Sequence, residues 1–153
     1  MTRLSLKPIV FLFFLALLPA CATPRNTVFY QYNELEGVKS KTLDRLKWEN
    51  TMQPDENISK NLILQTDFSS THLIRIRGSE KRHVHEFHDS TVFFQSGTGR
   101  MYLGKSSFNV GPGAVIFIPH GVEHYFVNGG NEPATAIAVF SPSFDGQDVK
   151  VKE

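Results

Sequence analysis

The 153-residue chain contains a single cysteine, Cys21. No intramolecular disulfide can brace it, so stability must come from a hydrophobic core, with a bound metal as the other available brace. Charge of one sign is missing as well. Sixteen Lys and Arg stand against 15 Asp and Glu, a formal net charge of +1. Acids and bases are interspersed along the chain, which excludes a basic face for nucleic acid. Long apolar runs are absent: "IVFLFFLALL" (Ile9–Leu18) supplies ten residues, where a membrane-spanning helix needs about 20. Helical periodicity is scarce, and neither an internal repeat nor a low-complexity tract is visible. A chain of this length has room for one domain and little else.

What the chain has in excess is phenylalanine, 13 residues, which favours aromatic-rich β structure over helix. The ten-residue apolar run follows Arg3 and Lys7 and ends in "LPAC" (Leu18–Cys21). That is the length of a secretory signal, with small residues at a cleavage point. The segment resembles a bacterial lipoprotein signal with its lipobox. The resemblance implies that residues 1–20 are removed and that Cys21 is lipidated and tethers the protein to a membrane. Ala22 after the cysteine, in place of Asp, implies sorting to the outer membrane, facing the periplasm. Removing residues 1–20 takes away Arg3 and Lys7, leaving 14 bases against 15 acids.

Residues 21–61 are expected to form the tether and a polar, irregular extension. "SKTLDRLKWEN" (Ser40–Asn50) is its one convincing helix, with Ser40 as cap and Leu43 and Leu46 on an apolar side. A helix this short needs packing to persist, and it is expected to lie against the outside of the main domain. From Leu62 the texture changes. Eight short β-like runs follow, from "NLILQTDF" to "TAIAVFS", separated by turn residues such as "SGTG", "GPG" and "NGGNEP". Eight strands without intervening helices predict a sandwich or barrel of antiparallel strands over residues 62–145. Residues 146–153 are read as a tail without chemistry.

Four of the six histidines lie between His72 and His88, and "RHVHEFHDS" (Arg82–Ser90) holds three of them. On a strand, His83 and His85 project from one face. Alternation alone does not say whether that face is buried. If it is, two imidazoles need partners, and a metal satisfies both.

The second half of the pattern is "GAVIFIPHGVEHYFVN". Gly113, Pro119, Gly121, His124 and Asn128 stand at spacings that match every fixed position of the second signature of the cupin superfamily. The first signature runs Gly, five residues, His-x-His, three or four residues, Glu, six residues, Gly. Here Gly78 precedes His83 by four residues, His83 and His85 form the pair, and Gly97 closes the segment. Over residues 62–142 the chain therefore resembles a small single-domain cupin. The implied fold is all-β, a double-stranded β-helix or jelly-roll barrel.

The resemblance implies a metal centre held by His83, His85, a carboxylate and His124. Counting back from Gly97 lands on Ser90 where the family has Glu; counting forward from His85 lands on Asp89. Asp89 is the expected substitute, since the alternation His83, His85, Phe87, Asp89 keeps it on the histidine face. His88 is the competitor and Glu86 a remote third. Three imidazoles and a carboxylate suit one divalent transition metal, Mn, Fe, Ni, Cu, Zn or Co.

His72 and His120 read as capping or exposed, and Arg75 and Arg77 as a solvated face. The fold hosts oxygenases and isomerases as well as non-catalytic binding modules, so it does not fix function. Expected partners are a small molecule, a membrane through the lipid anchor, and a second copy of the chain. Glu86, His88 and Glu123 are the candidates for proton transfer.

Overall fold

The computed structural model describes residues 26–152. Residues 1–25, which include the apolar run and Cys21, lie outside the described residues. Among the described residues there are twelve strands and one helix, and no helix long and apolar enough to cross a membrane.

The chain opens with an antiparallel ribbon, β1 (Val28–Asn33) and β2 (Gly37–Thr42). This corrects the expectation of an irregular extension. Ser40, read as a helix cap, lies inside β2 opposite Tyr30. Helix α1 runs Leu43–Glu49, and Thr42 caps it by accepting the Arg45 N–H at 3.2 Å. Leu43 and Leu46 turn inward onto Leu73 and Ile137, with Phe29 and Ile63 packed alongside. The helix therefore lies on the outside of the main domain, as its apolar side requires.

The domain itself consists of two five-stranded sheets. One contains β3 (Ile58–Gln65), β4 (Ser70–Ile76), β11 (Ala134–Ser141), β6 (Asp89–Ser96) and β9 (Val115–Ile118), in the order β3-β4-β11-β6-β9. The other contains β12 (Val149–Val151), β5 (His83–His85), β10 (His124–Asn128), β7 (Gly99–Leu103) and β8 (Ser106–Val110), in the order β12-β5-β10-β7-β8. All pairings are antiparallel. Each of the eight strands expected from the turn spacing is present. The first begins at Ile58, four residues before the expected boundary, and β12 occupies what was read as a tail.

Alternation drives the layering. Along β9, Val115 and Phe117 are 60% and 58% exposed while Ile116 and Ile118 are buried. One face of each strand thus enters a shared core with Ile74, Ile76, Phe94, Met101 and Phe126. The turn after β6 needs glycine. Gly97 has φ +82°, and a Cβ there would lie 2.7 Å from the Cα of Ala134.

Truncating Leu46 to Ala removes a side chain that is only 3% exposed. The expected cost is about 2–4 kcal/mol, read by urea unfolding. A change below about 0.5 kcal/mol would mean that the helix does not share the stability of the barrel.

Candidate metal centre

The centre is built by two strands of one sheet. Strand β5 spans only three residues, so His83 and His85 face one way and Val84 the other. Strand β10 runs antiparallel beside it, with His124 directly opposite His83. The three imidazoles are buried, and one ligand atom from each lies within 4.8 Å of the others. Their ring centroids are 4.3 Å (His83–His124), 5.3 Å (His83–His85) and 5.5 Å (His85–His124) apart.

Hydrogen bonds fix which nitrogen faces inward. His83 Nδ1–H donates to the Lys81 carbonyl at 2.8 Å, and His124 Nδ1–H to the Val122 carbonyl at 2.8 Å. A carbonyl can only accept, so both rings carry their proton on Nδ1 and keep the Nε2 lone pair free. The third ring uses a carboxylate: His85 Nδ1 lies 3.2 Å from Asp148 Oδ1. Burial pushes the His85 pKa down, and it takes His124 to about 4. These two rings are therefore neutral at ordinary pH.

Asp148, just before β12, is the group that sequence reasoning missed. It is buried, and besides His85 it accepts the Phe87 N–H at 3.1 Å and contacts His88 Nδ1 through Oδ2. Burial pushes its pKa up, but hydrogen bonds from His88, the Phe87 N–H and His85 outweigh that and leave the carboxyl below its usual range. His88 donates its other nitrogen to the Ser143 carbonyl at 3.1 Å. Its place is behind His85, as a support, and not in the cluster.

Asp89 is not brought to the cluster, which corrects the expected ligand set. The chain bends at residues 86–88 and restarts as β6 in the other sheet. Alternation therefore does not carry across from His85. The Asp89 carboxylate sits at the surface and accepts from the backbone N–H and the Nδ1–H of His120, both at 2.8 Å. Those two bonds hold its pKa down. Glu86 and Glu123 also face outward, near Lys150 and Arg82 respectively. His72, expected at the surface, is buried and bonded to Ser70 Oγ at 2.9 Å. Arg75 is half-buried and donates to the Asn50 carbonyl at 3.2 Å, while Arg77 is exposed as read.

The cavity in front of the three imidazoles encloses about 60 Å³ and is lined mainly by apolar side chains, among them Ile74, Val92, Phe94 and Phe126. Glu80 is its carboxylate: Oε2 accepts the Phe126 N–H at 2.9 Å, and burial pushes its pKa up.

A family model described as a cupin domain matches residues 72–140, a stretch that spans all three histidines of the cluster. The chain belongs to the cupin superfamily. A relative of this cupin is an uncharacterised protein from Aquifex aeolicus (strain VF5). It is 31% identical over 121 residues, covering 79% of this chain and 94% of that one. Three solved structures share the fold. An uncharacterised protein with a double-stranded β-helix domain from Klebsiella pneumoniae has a TM-score of 0.59 at 21% identity, over 69% of this chain and 92% of its own. KdgF from Halomonas sp. has a TM-score of 0.56 at 23% identity, over 61% and 88%. The Streptomyces nucleoside dehydratase Pac13 has a TM-score of 0.54 at 18% identity, over 63% and 79%. At these identities the likeness is one of fold.

The residues of this cupin suit a transition metal. Three imidazoles converge with their outer nitrogens already occupied, the second-layer pattern that orients metal-ligating histidines. No carboxylate joins them among the described residues.

Two outcomes follow. Asp148→Ala, which frees the His85 ring, should weaken metal binding by about 10- to 100-fold in competition with a chromophoric chelator. An unchanged affinity would show that Asp148 does not orient His85. In the metal-free protein, His124 titrates near 6.5 when unfolded and about 4 when folded. Protons therefore bind the unfolded chain first as pH falls. This contribution is complete above pH 6.5 and is lost between there and about pH 4, by up to about 3 kcal/mol. Urea unfolding across that window should show a shallower decline in His124→Gln than in wild type.

Proposed function

We propose that this protein is a lipid-anchored cupin at the periplasmic face of a bacterial outer membrane. It holds one divalent transition metal on His83, His85 and His124 and binds or transforms a small molecule beside it. One observation carries the reading: three buried imidazoles whose Nδ1 atoms are all engaged, leaving Nε2 lone pairs at the end of a small apolar cavity. Mn, Fe, Ni, Cu, Zn and Co all accept such ligands. When bound, the ion supplies Lewis acidity or, for iron and copper, redox chemistry.

The protein's own part is to orient the rings through Lys81, Val122 and Asp148, to exclude bulk water, and to offer Glu80 for proton transfer. Glu80 supports an oxygenase or isomerase reading, because a buried carboxylate beside the centre can hold or release a proton. The second reading is a non-catalytic ligand-binding module with the same centre. It is favoured by the outward orientation of Glu86 and Glu123. Pairing of two copies through outer strands is the expected assembly, supported by exposed Val115 and Phe117 on β9, an edge strand.

Elemental mass spectrometry of protein purified without a histidine tag tests the centre. Wild type should carry close to one metal per chain after exposure to divalent ions, and His83→Ala and His124→Ala should carry essentially none. A folded wild type that takes up no metal would sink the proposal. For the anchor, Cys21→Ser should move the protein from the membrane fraction to the soluble fraction.

A further inference from the structure

A second opening leads to the same centre. Beside the inner cavity lies an outer cleft of about 300 Å³, bordered by Asn57, Ser79, Lys81 and the strand β12 residues Val149 and Val151. Lys60, Glu80 and His83 line both spaces and so form the neck between them. Lys60 pairs with Ile74 across β3 and β4, which places its side chain on the inner face of the sheet. Most surface lysines point outward into water. Lys60 is itself exposed but borders the neck from the rim of the cleft, and its charge acts on Glu80, His72, His85 and His124 alike. Arg82 and Lys150 nearby each meet a glutamate. Lys60 has no hydrogen bond or ion pair among the described residues.

Charge balance gives that lysine a purpose. Imidazole ligands bring no negative charge to a divalent ion, and Asp89 is occupied at the surface by His120. The Asp148 carboxylate lies behind His85 and is shared with His88. In front of the rings, two positive charges from the ion and one from Lys60 would face Glu80 alone. Unbalanced charge in an apolar enclosure is costly, and a bound anion offsets it.

We propose that the cavity binds a short-chain carboxylate entering through the cleft beside β12, with Lys60 holding the anionic end. This rests on the metal-centre reading above. The carboxylate lies between Lys60 and the histidine cluster, where charge is missing, and the apolar remainder lies against Ile74, Val92 and Phe94. The inner space of about 60 Å³ holds roughly four waters at about 15 Å³ each. That admits a chain of a few carbons.

The test uses full-length protein in detergent micelles, titrated calorimetrically with butyrate and with butyramide, which has a similar shape but no charge. Metal content is measured in the same samples, both loaded and stripped with chelator. Butyrate should bind the loaded protein and butyramide should bind at least about tenfold more weakly. Lys60→Met should weaken butyrate by about tenfold or more and leave butyramide unchanged. Lys60→Arg keeps the charge and should retain binding within about threefold. A thermal melt of each variant verifies folding.

Absence of butyrate binding, equal binding of the two probes, or indifference of butyrate to Lys60→Met would each overturn the proposal. Failure of the metal reading is seen separately, as wild type that loads no metal. In that case a Lys60-dependent preference for butyrate in the stripped protein would uphold the anion site on its own, and its absence would overturn it.

Discussion

The pairing of His83 with His124 across β5 and β10 sets how close the three imidazoles come. Strand β5 has only three residues and cannot fix its own register. Its neighbours fix it. On one side, β10 is held by five residue pairs with β7, from His124–Leu103 to Asn128–Gly99. On the other, β12 pairs with all three residues of β5. A slip of one residue would turn His83 and His85 outward and put Val84 in their place. The centre is therefore as well defined as the least secure of those two flanking ladders.

Within that frame the rings are locked by unequal partners. His83 and His124 lean on carbonyls two residues before them, in their own local chain. His85 leans on Asp148, a residue from the far end of the sequence. Local partners come with the strand, whereas the distant one depends on tertiary closure. Of the three rings, His85 is thus the one held by a charged group.

The barrel and the histidines were legible because they leave short-range marks: alternation along each strand, turn residues between strands, and a fixed spacing from Gly113 to Asn128. Alternation failed at Asp89 because parity holds only within one continuous strand, and the chain changes sheets after His85. The cap was misplaced from Thr42 to Ser40 because the ribbon claims Ser40 for pairing with Tyr30. Asp148 left no mark, since its partners His85 and His88 lie about 60 positions away and nothing nearby is patterned around it. Only the alternation of "VKV" after it hinted at a strand. Glu80 and Lys60 were invisible for a related reason: which residues line a cavity depends on how two sheets meet, and no single segment records that.

The place of Asp148 in chain order has a consequence for the order of events. Residues are synthesised in sequence, so His83, His85 and His124 all exist before Asp148 and β12 do. His83 and His124 can be held as soon as their own strands form, because their partners lie two residues before them. His85 waits for a carboxylate made 63 positions later. The three rings are thus fixed in two stages, and the last strand to be made completes the support of the first pair.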